Sequence, residues 1–142
     1  MRNLIIIFSL LLVSFVLSAC SILIELLNTT WQWTSLTETQ TAAQSVVPNP
    51  ENYTVIFNED GTFNAAVDCN LVNGSFELEG NKLTVMPGPS TLAECGPDSL
   101  YDLFLDFFTQ ITAYEMDGET LFLIVDKDSA RMFFQNPSLT KS

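Results

Sequence analysis

Residues 53–134 are a succession of short segments in which apolar and polar residues alternate, and turn signals separate most of them. The segments read YTVIF, TFNAAV, SFELE, KLTVM, AYEM, TLFLIV and ARMFF. Alternation gives each strand one apolar and one polar face, and tight turns such as NEDG and MDGE join neighbouring strands as antiparallel pairs. The pattern therefore predicts a mainly β fold, an antiparallel meander that curls into a barrel or sandwich.

One segment, GPDSLYDLFLDFFTQI, does not alternate in this way, because its apolar residues recur at helical spacing. Pro97 and Asp98 are typical of a helix N-terminus, and Asp102 and Asp106 fall on the opposite, polar face. We expect one amphipathic helix that plugs or covers one end of the sheet. Its predicted apolar face consists of Leu100, Phe104, Phe107, Phe108 and Ile111.

The sequence WQWTS indicates a first strand, with Trp31, Trp33 and Ser35 on one face. Residues 37–52 are mostly polar and contain Pro48 and Pro50, which indicates a long loop or a loop that holds a weak strand.

The chain has a formal net charge of −12 and contains no histidine. An acidic surface repels phosphate backbones and anionic lipid, so we expect no nucleic-acid partner. The lack of histidine removes the commonest general base and metal ligand, and we expect no catalytic residue, metal or cofactor. The acidity itself either favours cationic ligands or Ca²⁺, or simply keeps the protein soluble.

The N-terminus has the pattern of a secretory signal peptide: Arg2, an apolar run over residues 4–16, and then small residues before Cys20. The tetrapeptide Leu17-Ser18-Ala19-Cys20 resembles the bacterial lipobox. That resemblance implies attachment of a diacylglyceryl group to the Cys20 thiol, followed by cleavage before this residue. We therefore predict a signal peptide over residues 1–19 and a lipidated N-terminus with a short link over residues 20–27.

An uncleaved membrane helix is the alternative reading of this run. Residues 4–24 would span ~31 Å at the helical rise of ~1.5 Å per residue, which is long enough to cross a bilayer. Both readings export the same domain.

The remaining cysteines, Cys69 and Cys95, form an even pair. In an oxidising compartment we expect them to form a disulfide, and the alternative is two buried free thiols. A zinc site would lack ligands, and a nucleophilic cysteine would lack an activating histidine.

Several segments together resemble the META domain, also called the HslJ-like domain. They are NTTWQWTSL, YTVIFNEDGTF, DCNLVNGSFELEGNKLTV, STLAECGPDSLYDLFLDFF and AYEMDGETLFLIV. The resemblance places the domain at residues 28–136 and leaves residues 137–142 as a C-terminal tail. One departure is NAAVDCN, where the family often has a glycine-rich approach to Cys-Asn.

This resemblance implies a lipocalin-like barrel with no established enzymatic activity. Family members are often bacterial envelope lipoproteins, associated with heat-shock induction and resistance to novobiocin. The expected function is that of a monomeric, lipid-anchored protein on the extracytoplasmic side of a membrane, the outer one in a Gram-negative host. It would bind an envelope protein or a small apolar ligand in stress or antibiotic tolerance. A lipid carrier or secretion pilot with an apolar cavity is the first alternative, and a hydrolase is the second.

Two groups of residues leave alternatives open. The acidic turns at Glu59-Asp60 and at Asp126 with Asp128 either bind Ca²⁺ or are ordinary turn residues. The aromatic residues either line a cavity for an apolar ligand or fill the core. They are Trp31, Trp33, Phe57, Phe63, Phe76, Phe104, Phe107, Phe108, Phe122, Phe133 and Phe134.

Overall fold

The computed structural model describes residues 26–138, which form an antiparallel β barrel with one helix. The predicted mainly β fold is confirmed. The strands are β1 (Trp31–Glu38), β2 (Gln44–Val46), β3 (Tyr53–Phe57), β4 (Thr62–Val67), β5 (Asn70–Glu79), β6 (Lys82–Ser90), β7 (Ile111–Asp117), β8 (Thr120–Val125) and β9 (Ala130–Gln135). The helix, α1, is Tyr101–Phe108, and short 3-10 turns lie at Pro50–Asn52 and Asp126–Asp128.

Strands β3 to β9 pair in chain order, and β1 closes the barrel by pairing with β9. The other edge of β1 pairs with β3 near its start and with β2 near its end. Eight strands therefore make up the closed barrel, and the three-residue β2 extends it at one edge, as expected for a weak strand in the loop after β1. Closure leaves few unpaired strand edges in the described part of the chain.

The prediction that Ser35 shares one face of β1 with Trp31 and Trp33 is wrong. The register between β1 and β9 shifts between Trp33 and Ser35, as it does at a β-bulge, and the next buried residue is Leu36. The Trp33 indole N–H donates to the Ser35 carbonyl oxygen at 2.9 Å across this irregularity. A bulge inserts one extra residue into a strand, so that beyond it the other set of alternate side chains faces the core. A strict alternation of apolar and polar residues in the sequence does not predict such an insertion.

Helix α1 inserts Phe104 and Phe108 into the barrel, where both are fully buried. Their rings stack with centroids 4.9 Å apart. Phe104 also contacts Trp33 of β1 edge-on at 5.4 Å, and Phe108 contacts Phe63 of β4 at 5.3 Å. The helix therefore packs its aromatic side chains against β1 and β4 inside the barrel, which is the expected plug.

The helix begins later than predicted, at Tyr101 rather than near Pro97 and Asp98. Gly96 adopts a positive φ of 98°, and the Ser99 N–H donates to the Gly96 carbonyl oxygen at 3.3 Å, so this stretch forms a turn. Ile111, placed on the helical face from its spacing, instead begins β7, where it is buried.

The strand pairing is shortest between β6 and β7, which share a single register pair, Lys82 with Ala113. Helix α1 lies in the connection between these two strands. The far part of β6 carries Pro87 and Pro89, and proline suits a strand edge that does not need to donate a hydrogen bond.

Antiparallel connections give the barrel two distinct ends. At the entry end, residues 26–30 approach β1, and the Asn28 N–H donates to the Phe57 carbonyl oxygen at 2.7 Å. The turns over residues 58–61, 80–81 and 118–119 lie at this same end, because each follows a strand that runs toward it. The opposite end, here called the disulfide end, carries the β4–β5 turn and the loop over residues 91–100.

Gly74 of β5 is a position that only glycine fits. Phe63 lies directly across from it on β4, and a Cβ atom at Gly74 would sit 2.8 Å from the Phe63 Cζ atom and closer still to the Met86 carbonyl oxygen. Aromatic rings often cover such a glycine in a sheet. The methyl group of an alanine at this position would displace either the Phe63 ring or the backbone at Met86.

We expect Gly74→Ala to lower the free energy of unfolding by about 1–3 kcal/mol, the usual cost of overpacking a core. Chemical denaturation of the purified protein measures this change. The matched control is Ser75→Ala at the exposed next position, which should stay within about 0.5 kcal/mol of wild type. Equal stability of Gly74→Ala and Ser75→Ala would contradict the close approach of Phe63.

Candidate functional site

The disulfide end contains the predicted bond between Cys69 and Cys95, whose Cα atoms are 5.5 Å apart. Cys69 lies in the two-residue turn between β4 and β5, and Cys95 lies in the loop over residues 91–100. Cys69 is exposed and Cys95 is half-buried, so the alternative of two buried free thiols does not describe them. The bond ties this loop to the tip of the β4–β5 hairpin.

Asn70, the buried first residue of β5, also binds the loop over residues 91–100. It is 1% exposed, and its amide group donates to the Ala93 carbonyl oxygen at 3.0 Å and to the Cys95 Sγ atom at 3.1 Å. Its Oδ1 atom accepts from the Ala93 N–H at 2.8 Å and from the Thr91 hydroxyl at 3.0 Å. A buried amide needs such partners, and these four all lie on one short stretch of loop.

Thr91 extends this network to the first residues of β5. Its hydroxyl oxygen accepts from the Leu71 N–H at 2.9 Å, and its own N–H donates to the Leu71 carbonyl oxygen at 3.0 Å. The Cys-Asn pair was recognised in the sequence as a family feature, but the role of Asn70 was not. Its position directly after a disulfide cysteine was the available signal.

A surface pocket of about 570 Å³ lies beside this loop. It is lined by residues 92–97 together with Asn70, Ser99, Tyr101 and Asp102. The loop, the start of β5 and the first turn of α1 therefore converge on one concave surface. The sequence did not predict this pocket, because it forms only when residues 92–102 fold beside Asn70 of β5.

Further hydrogen bonds fix the walls of this pocket. The Leu100 N–H donates to the Tyr53 hydroxyl oxygen at 2.9 Å, and the Tyr101 N–H donates to Ser99 Oγ at 3.2 Å. The Tyr101 hydroxyl donates to Ser90 Oγ at 3.3 Å. These contacts join α1 to β3 and to the end of β6, so the pocket has a preformed shape.

The barrel interior is occupied by aromatic side chains. Besides the contacts of α1, Phe57 meets Phe76 edge-on at 5.1 Å, and Phe104 meets Phe134 at 6.4 Å. Three other aromatics, Phe107, Phe122 and Phe133, are only half-buried. This packing favours the interpretation that the aromatics fill the core. The buried set is Trp31, Trp33, Phe57, Phe63, Phe76, Phe104, Phe108 and Phe134.

The acidic turns use their carboxylates locally. Asp60 accepts from the Thr62 hydroxyl at 2.6 Å and from the Thr62 N–H at 3.0 Å, and these bonds lower its pKa. Asp128 accepts from Arg131 Nε–H at 2.8 Å, and this bond lowers the pKa of Asp128. Turn geometry thus accounts for both carboxylates. Within residues 26–138, no three side chains of the metal-binding types cluster together.

Cys20, the predicted lipidation site, and the predicted signal peptide lie outside the described residues. Among the residues that are described, no helix has the length and apolarity needed to cross a membrane.

We expect Asn70→Ala to lower the free energy of unfolding by about 1–3 kcal/mol, because the substitution leaves groups on Ala93 and Thr91 without their partner. Chemical denaturation of the oxidised protein measures this loss. Asn73→Ala is the matched control, since Asn73 is exposed and its side chain accepts from Asn64 on the outer face of the sheet. If both variants were equally stable, the Asn70 network would not hold the loop.

No curated protein is significantly similar to the chain in sequence. The fold is similar to the crystal structure of a DUF4847 family protein from Bacteroides vulgatus, with a TM-score of 0.62 and 12% identity over 78% of this chain and 93% of that one. It is also similar to the NMR structure of a protein from Burkholderia xenovorans, with a TM-score of 0.62 and 20% identity over 78% and 83% of the two chains.

A third similar fold is another protein solved by NMR, with a TM-score of 0.56 and 15% identity over 82% of this chain and 95% of that one. At these identities the likeness concerns the fold alone. The sequence profile of the META domain matches residues 24–138, which include the whole barrel and the loop that carries Cys95. The chain therefore belongs to the META domain family.

Proposed function

We propose that this chain is a lipid-anchored protein of the bacterial cell envelope that acts by binding at its surface and catalyses no reaction. The observation that carries the proposal is the Cys69–Cys95 disulfide. Disulfides persist in oxidising compartments and are rare in the cytosol, so an exposed disulfide supports export. Export is also what the N-terminal signal pattern before Cys20 predicts.

The start of the barrel fits an anchor close to the membrane. Leu26 is fully buried, and its carbonyl oxygen accepts from the Trp31 indole N–H at 3.0 Å, so the fold already includes this residue. Only residues 21–25 separate it from Cys20. Five residues reach at most ~18 Å when fully extended, so an acylated Cys20 would keep the entry end near the bilayer.

This arrangement would direct the disulfide end away from the membrane. The entry end carries Glu59, Asp60, Asp117 and Glu119, which anionic headgroups would repel, so the acyl chains on Cys20 would have to hold this end at the membrane. The loop over residues 91–100 and its pocket would then face the aqueous compartment. A binding surface in that position can meet soluble or membrane-bound partners, and a role in envelope stress tolerance agrees with the family's associations.

The filled interior weighs against the carrier or pilot alternative. A carrier needs room for an apolar ligand, whereas Phe104 and Phe108 occupy the barrel between Trp33 and Phe63. The hydrolase alternative needs two carboxylates held in fixed positions across a cleft. Asp60 and Asp128 bond to neighbours within their own turns, and no hydrogen bond within residues 26–138 fixes the exposed carboxylates of Glu94 and Asp102 at the pocket.

Replacement of the proposed lipidation site tests the anchor. We expect Cys20→Ser to abolish acylation, so that the chain is either left with its signal peptide or released from the membrane. Fractionation of cells, with mass spectrometry of the N-terminus, distinguishes these forms from the acylated wild type.

The matched control is the double variant Cys69→Ser with Cys95→Ser, which removes the disulfide and keeps Cys20. It should be processed and retained in the membrane fraction as wild type is. Normal processing and membrane retention of Cys20→Ser would show that Cys20 is not the anchor.

A further inference from the structure

We propose that the pocket at the disulfide end binds a small organic cation, an ammonium group attached to a compact apolar body. The inference rests on the proposed function, because it names the ligand class for the surface that the anchored barrel presents. The pocket volume of about 570 Å³ lies in the range of small-molecule sites, ~300–1,000 Å³.

Charge is the first argument. Within residues 26–138, the charged side chains that line the pocket are the carboxylates of Glu94 and Asp102, with no lysine or arginine among the lining residues. Neither carboxylate has an ion-pair partner within residues 26–138; the basic groups of Lys82 and Arg131 pair elsewhere, with Glu79 and with Asp128 and Glu115. A ligand cation in the pocket would lie beside both carboxylates, one on the loop and one on the helix.

The second argument is the apolar surface beside these carboxylates. Leu92 is 84% exposed, which is unusual for a large apolar side chain, and it lines the pocket together with Pro97 and Tyr101. The face of an aromatic ring attracts an ammonium group, and a carboxylate in the same pocket adds the attraction between opposite charges. This combination suits an organic cation better than a bare metal ion, which requires several oxygen ligands at once.

The third argument is preorganisation. The loop that forms one wall is held by the disulfide and by four hydrogen bonds between Asn70 and this loop, and the other wall is the first turn of α1. A ligand that enters an already ordered pocket loses less free energy to ordering of the protein. The net charge of −12 also raises the local concentration of cations around the chain.

The test uses the full-length protein in uncharged detergent and three probes of similar size: 2-phenylethylammonium, the neutral 2-phenylethanol and the anionic 3-phenylpropionate. Binding is followed by NMR shifts of the amide groups of Ala93, Glu94 and Tyr101. We expect saturable shifts with the ammonium probe alone. We also expect its affinity to fall at higher salt, because the contact is between charges.

Isosteric variants locate the interaction. Glu94→Gln combined with Asp102→Asn should weaken binding of the ammonium probe at least about tenfold. Asp106→Asn is the matched control, since Asp106 lies on the same helix, is exposed and does not line the pocket. It removes one negative charge and should leave the affinity of the probe unchanged.

Three outcomes would overturn the proposal: no saturable binding of the ammonium probe, equal shifts with all three probes, or equal weakening by Asp106→Asn and the pocket double variant. None of these outcomes depends on whether Cys20 carries lipid. Failure of this inference is therefore distinguishable from failure of the proposed anchor, which Cys20→Ser tests separately.

Discussion

The insertion of Phe104 and Phe108 into the barrel is the contact on which the rest of the structure depends. Strand pairing is shortest between β6 and β7, which share a single register pair, and α1 lies in the connection between these strands. Both phenylalanines are fully buried and reach rings on β1, β4 and β9. Buried aromatic side chains each remove about 150–250 Å² from water, so these two contribute much of the free energy that holds the walls together.

This filled core is the reason for our proposal that the protein binds its ligand at the outside of the barrel. The space that a carrier would give to its ligand belongs to side chains of the protein itself. The disulfide end offers the alternative, because Cys69, Asn70 and Cys95 hold one loop in a fixed position beside a pocket. The same three residues thereby stabilise the fold and shape a surface, which lies at the end of the barrel opposite the proposed anchor.

The strands after Tyr53 were predictable from sequence because period-two alternation and turn residues are local signals. The bulge at Ser35 was not, since it arises from the register between β1 and β9, which are far apart in the chain. The pairing of the cysteines was predictable from their number and the expected compartment. The role of Asn70 was not, because its partners lie more than twenty residues away and only the folded loop brings them to it.

The most direct measurement of the central claim, that the core has no room for a ligand, is xenon binding followed by NMR of the folded full-length protein. Xenon enters dry apolar cavities, and Phe104→Ala should create one in the interior. We predict saturable shifts around Trp33 and Phe134 in the Phe104→Ala variant and none in wild type. Saturable xenon binding among the same residues of the wild-type protein would reveal a pre-existing void and would contradict the account.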